Sequence, residues 1–99
     1  MNPIANQLVL TASIAELDGL RYTPAGLPAL NLRLEHESEI QELGQTRQVK
    51  AAVKAVAFGA LAERLVSQAI GSTWRFTGFL GTPRNGRTIV FHVQEFQQD

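Results

Sequence analysis

Cysteine is absent from this 99-residue chain, so neither a disulfide framework nor a thiolate metal site is open to it. That fits a reducing compartment. No apolar run approaches the roughly 20 residues that span a bilayer. The N-terminal "MNPIANQ" has neither a basic region nor a long apolar stretch, so the expectation is a cytoplasmic protein without a secretory signal or a membrane partner. Net charge is missing too. Nine Lys and Arg cancel nine Asp and Glu, whereas nucleic-acid-binding domains are often basic. Aromatic residues make up only 7%, with one Trp and one Tyr. No P-loop, Gly-x-Gly-x-x-Gly run or nucleophile motif is present. His36 lies between Glu35 and Glu37, but neighbouring strand residues point to opposite faces, so the trio makes no metal site. Glu39 and Glu42 would need a pocket to act as an acid/base pair, and nothing indicates one. Neither an enzyme nor a cofactor is expected.

What the chain does have is alternation. In "LVLTASIAEL", Leu8, Leu10, Ala12 and Ile14 share one side and Val9, Thr11 and Ser13 the other, the period of a half-buried strand. "DGLRYTPAGLP" is a Gly- and Pro-rich loop. "ALNLRLEHE" alternates again, with Leu30, Leu32 and Leu34 inward and Asn31, Arg33 and Glu35 outward. Leucine is no favoured strand residue, so pattern outweighs propensity here. "ESEIQELGQ" is polar, contains Gly44, and is expected to be a flexible turn. "TRQVKAAVKAV" sends Val49, Ala51 and Val53 inward and Gln48, Lys50 and Lys54 outward. The period then changes. Phe58, Leu61, Ala62, Leu65, Val66, Ala69 and Ile70 form one helical stripe, with Gly71 placed to end it. "STWRFTGFLG" and "TIVFHVQEF" are the last two strands, joined by "TPRNGR", whose Asn-Gly pair signals a hairpin turn.

The order β-β-β-α-β-β, all-β with one helix, matches the OB-fold, a five-stranded Greek-key barrel. A length of 99 residues fits one such domain over 1–99, and 44% hydrophobic content supplies one modest core. A domain this small buries only about 60–65% of its unfolded surface, so it would gain from a partner subunit. The face on strands two and three binds oligonucleotides or oligosaccharides in this fold, flanked by the loops between strands one and two and between four and five. Those loops are "GLRYTPAGLP" and "GTPRNGR", and each carries arginine. Charge is also unevenly spread. Residues 1–44 hold two arginines against six acids, net −4, and residues 45–99 hold seven basic residues against three acids, net +4. A neutral total therefore accommodates either a basic face or a mixed solvated surface.

"RYTPAGLPALNLRLEHES" and "VAFGALAERL" resemble the bacterial single-stranded-DNA-binding proteins, where Arg-Tyr-Thr-Pro-x-Gly precedes the second strand. The "LEHES" ending, the short chain and the lack of a glycine-rich acidic tail are more similar to the primosomal, replication-restart branch of that family. The similarity covers residues 6 to 96. It implies a homodimer that binds single-stranded DNA without marked sequence preference. It also implies contacts with the restart helicase, with a primosomal loading partner and with the cell's main single-strand binder. Two departures weaken the implied DNA affinity. The base-stacking aromatic of the family's third strand falls at Lys50 here, and the lysine-rich last hairpin is reduced to "TPRNGR".

Sequence-tolerant single-strand binding needs a cationic track for phosphates and aromatic faces for bases. The candidates for the track are Arg21, Arg33, Arg47, Lys50, Lys54, Arg75, Arg84 and Arg87. Arg64 belongs to the helix surface. Tyr22, the one aromatic in a candidate DNA loop, either stacks on a base or pins the loop. Trp74, Phe76, Phe91 and Val93 are expected in the core, Phe58 as the helix anchor in that core, and His92 on a strand surface; Phe79 carries no assignment. Two alternatives stand beside the DNA-binding module. One is a protein-interaction adaptor of the primosome, with DNA contact incidental. The other is a tailless homologue of the general single-strand binder.

Overall fold

The computed structural model describes residues 4–98; Met1, Asn2, Pro3 and Asp99 lie outside them. The elements are β1 (Leu8–Leu17), β2 (Arg21–Tyr22), β3 (Pro28–Glu42), β4 (Gln45–Phe58), α1 (Ala60–Val66), β5 (Thr73–Gly81) and β6 (Val90–Gln97). Five long strands run in the order β1-β5-β6-β4-β3, and a second β1–β3 pairing closes them into a ring. β1 achieves this by changing partners. Its first half pairs with β5 (Leu8↔Gly78 to Ser13↔Thr73), and its second half pairs with β3 (Ser13↔Glu35 to Leu17↔Leu32), with an irregularity between Ile14 and Glu16. β4 and β6 make the one parallel pairing among the described residues, with Ala55↔Phe91 and Val56↔His92. This is the closed Greek-key barrel of the OB-fold. The two-residue β2, paired to Ala29 and Pro28, is an addition to the expected strand order.

Alternation sets what fills the barrel. Ala12 and Ile14 of β1, Leu30, Leu32 and Leu34 of β3, Phe76 of β5, and Phe91, Val93 and Phe96 of β6 are buried together. Each such Leu, Ile or Phe contributes about 1.5–3 kcal/mol by leaving water. Trp74 is half-buried at the edge of this cluster, its ring edge-on to Phe96 at 5.0 Å and its Nε1 donating to Ser72 Oγ at 2.9 Å. Helix α1 adds Ala62 and Leu65 to the core.

Three expectations are corrected. "ESEIQELGQ" is no flexible turn. β3 and β4 continue through it in unbroken register from Ala29↔Phe58 to Glu42↔Gln45, and only Leu43 and Gly44 form the turn. Both have positive φ (53° and 76°), the conformation of a two-residue hairpin whose twist matches its strands. The resulting arm outruns the core, which leaves Ala51 exposed despite its inward phase. The helix ends at Val66 instead of reaching Ile70. The Gly71 N–H donates to Ile14 O (2.7 Å) and the Ile14 N–H to Ser72 O (2.9 Å), which draws the chain back to β1 and leaves Ile70 exposed. Finally, Asn-Gly does not make a tight hairpin. β5 and β6 are joined by residues 82–89, within which the Gly86 N–H donates to Pro83 O at 3.0 Å, and Asn85 has no positive φ.

Candidate nucleic-acid interface

The end of β4 departs most from sequence expectation, and it shapes the site. Phe58 does not belong to the helical stripe. Gly59, between Phe58 and α1, takes φ 71° and ψ −147°, a backbone state open to glycine. This breaks the helical phase and leaves Phe58 on the outside of the barrel, 40% exposed. His92 of β6 packs against it, with ring centroids 6.2 Å apart and planes 30° apart. Phe79 of β5 stacks on the same imidazole at 4.7 Å and 12°. Three rings from three strands thus stack through His92 as a ladder, and Phe58 is its exposed member. His92 is half-buried in this stack and is not a plain surface residue. The signal that could have found it was the pair of aromatics at strand positions facing outward, Phe79 and His92.

A groove of about 590 Å³ opens beside the ladder, and its lining includes Phe58, His92 and Pro83 together with Arg21, Arg33 and Lys54. Each cation has a local reason for its place. Arg33 and Lys54 face each other across the β3–β4 register. Arg21 sits on β2, and its Nη2 donates to Asn31 Oδ1 at 3.1 Å. The turn behind it is tied down. The Thr23 N–H donates to Leu27 O (2.9 Å), the Gly26 N–H to Thr23 O (2.8 Å), and the Leu27 N–H to Thr23 Oγ1 (3.1 Å). Gly26 holds φ 86° there. The groove also contains acids, Glu16 and Asp18. Arg33 Nη2 lies 3.3 Å from Glu16 Oε1 and 3.2 Å from Glu35 Oε1.

The other predicted positions are distributed more widely. Arg84 and Arg87 are exposed on the 82–89 loop, adjacent in sequence to the groove residue Pro83. Tyr22 is 64% exposed on β2, opposite Pro28, and does not line the groove. Lys50 lies along the arm in a separate cleft with Glu35, His36 and Glu37. Arg47 is near the arm's tip, bound to Glu42 at 2.8 Å. Arg75 is on β5, between β1 and β6 in the sheet and away from the groove lining. Arg64 places its guanidinium 5.0 Å over the Phe96 ring, a packing role on the helix. His36 Nδ1 donates to Thr11 O (2.7 Å) and its Nε2 hydrogen-bonds Ser38 Oγ (2.8 Å), and among the described residues no group of three metal-ligating side chains converges.

Comparison with known proteins adds the following. A family model described as "another single-strand binding protein family" matches residues 6–95. The replication restart protein PriB of Bordetella pertussis is 43% identical over 91 residues, which are 91% of this chain and 85% of that protein. PriB of Nitrosomonas europaea is 34% identical over 91 residues, 91% of this chain and 84% of that one. Among solved structures, PriB of Ralstonia solanacearum superposes with a TM-score of 0.87 at 33% identity, covering 96% of this chain and 98% of that one.

Proposed function

Because the chain belongs to the single-strand binding protein family whose model spans residues 6–95, we propose that it binds single-stranded DNA without marked sequence preference, as a non-enzymatic component of the replication-restart primosome. The observation that carries this reading is the groove itself. It gathers Arg21, Arg33 and Lys54 in one lining with Phe58 and His92, the latter backed by Phe79, so the phosphates and bases of one strand meet cations and ring faces in the same groove. The ladder supplies the flat apolar surface that Lys50 cannot. Arg84 and Arg87 extend the track over the rim. Tyr22 offers a further ring outside the groove.

The protein acts as a homodimer. Over Leu8–Leu10, β1 has β5 on one side and no strand on the other among the described residues, and Val9 stands 46% exposed there. An open edge of that kind takes up a second strand readily. Sedimentation equilibrium reads the outcome as a mass near twice 10.8 kDa. Its protein partners are the restart helicase, the primosomal loading protein and the main single-strand binder. A location in the cytoplasm goes with this role. No helix among the described residues is long and apolar enough to cross a membrane. One observation favours an adaptor role beside DNA binding: at the arm's tip Leu43 is 98% exposed and Ile40 53%.

Fluorescence anisotropy with labelled dT oligomers tests the reading. Binding should be strong at low salt and fall with a slope of about 0.7 in log K per phosphate contacted, as for single strands. Replacing Arg84 and Arg87 together by Ala should flatten the slope by about 1.4. An unchanged slope would remove the loop from the site, and no association at roughly 20–50 mM NaCl, the regime favouring phosphate contacts, would end the proposal.

A further inference from the structure

The cations of this molecule fall into two sets. Arg33, Arg47 and Lys50, all on the β3–β4 sheet, are each held by a carboxylate: Arg33 by Glu16 and Glu35, Arg47 by Glu42 at 2.8 Å, and Lys50 by Glu37 at 3.3 Å. Among the described residues no ion pair holds Arg21, Lys54, Arg64, Arg75, Arg84 or Arg87, and of these Arg64 packs on Phe96 and Arg75 lies away from the groove. The acids are not scattered. Glu35, Glu37 and Glu39 alternate along β3 on the face that continues outward from Arg33, and the register sets them opposite Ala52, Lys50 and Gln48. Glu39 in turn accepts a hydrogen bond from Gln48 Nε2 at 2.8 Å. The strand face that this fold presents to a polyanion thus carries its own row of anions.

We infer that Glu16, Glu35 and Glu37 are built-in competitors of phosphate, which confine a bound strand to the unpaired cations and set the protein's affinity. The inference rests on the single-stranded DNA reading and concerns the same face. A carboxylate and a phosphodiester offer the same recognition to a guanidinium or ammonium, an anionic oxygen acceptor. The intramolecular partner is always present, so a phosphate reaching Arg33 or Lys50 must displace it. The pairs are exposed, with acid side chains 54–69% accessible, and exposed pairs are individually weak. Displacement is therefore possible but incomplete in benefit, because the released carboxylate then faces the polyanion. Such a contact neutralises little of the strand's charge and releases few of its counterions. The path left open runs from Arg21 and Lys54 through the groove to Arg84 and Arg87. The arm stays outside it.

Removing one competitor tests the idea. Glu37→Gln keeps the size of the side chain and frees Lys50. Anisotropy on a dT oligomer across a NaCl series should show a slope steeper by about 0.7 and binding tighter by about three- to fivefold at 0.1 M, one added phosphate contact. Glu63→Gln on α1 changes the net charge equally without touching a cation pair, and its slope should match the unmodified protein. In a Lys50→Gln background the gain from Glu37→Gln should vanish. A gain no larger than that of Glu63→Gln, or one that persists without Lys50, overturns the inference while leaving DNA binding in place. Absence of any binding by the unmodified protein at about 20 mM NaCl overturns the single-stranded DNA reading itself.

Discussion

Gly78 is the position where one added carbon should do the most damage. It lies at the irregularity in the β5–β6 pairing, opposite Val93. A Cβ built there would fall inside the carbonyl oxygen of His92 and within 2.9 Å of both the His92 carbonyl carbon and Phe91 Cε1. The obstacle is backbone, so no rotamer change relieves it. Strands about 4.8 Å apart would have to part by about 1 Å or more, which stretches their hydrogen bonds beyond a useful length. Losing two or three such bonds costs about 0.5–1.5 kcal/mol each. Displacing Phe91, which is fully buried, adds about 1–3 kcal/mol. The total for Gly78→Ala is about 2–7 kcal/mol, against the ~5–15 kcal/mol that holds a domain together. With an m-value of about 1–1.5 kcal/mol/M, the urea midpoint should drop by more than about 1 M or the barrel should fail to fold. Gly19→Ala is the control, with nothing within 4 Å of the added carbon. It should leave the midpoint unchanged or raise it by the ~0.4–1 kcal/mol that a stiffer unfolded chain provides. If the two variants unfold at the same urea concentration, the close approach of β5 to His92 is wrong, and so is the ladder that depends on it.

Phe58→Leu separates the ladder's two uses. The ring is 40% exposed, so a near-isosteric swap should cost under about 1.5 kcal/mol of stability. It removes the exposed stacking face, however, and should weaken dT binding by about 1–3 kcal/mol in an anisotropy titration; unchanged affinity would take Phe58 out of the site. Leu43→Asn should raise the urea midpoint. Leucine at φ 53° pays about 1–2 kcal/mol that asparagine largely avoids, and a lower midpoint would show that the turn is not strained.

Burial decides which parts of this molecule could be read from sequence. Where a strand has one dry face, as at Leu30, Leu32 and Leu34, alternation is enforced and the strand is visible. Beyond the barrel, nothing is buried on either face of residues 37–48, so the same ladder carries Glu, Ser, Gln and Thr and resembles a loop. Its turn was hidden because leucine holds a position that Asn or Gly usually takes. The helix was overread for a different reason. Ala69 and Ile70 keep the helical period, but hydrogen bonds from residues far away in sequence, Ile14 to Gly71 and Ser72, settle the path. Gly59 had the opposite effect, as a single residue that shifts Phe58 from one period to another. The cationic candidates were legible one by one as outward strand or loop positions. Their pairing was not, since Glu16 reaches Arg33 from another strand.

The parallel joint between β4 and β6 is registered at only two residue pairs, whereas the β3–β4 hairpin is registered at fourteen. That narrow joint runs directly under the groove, with Val56 and Phe58 on one lip and Val90 and His92 on the other. A molecule lying across both lips works like a clasp on the thinnest part of a hoop. Filling the groove and holding the ring shut then become one coupled equilibrium, and part of the free energy of association reappears as resistance of the fold to opening.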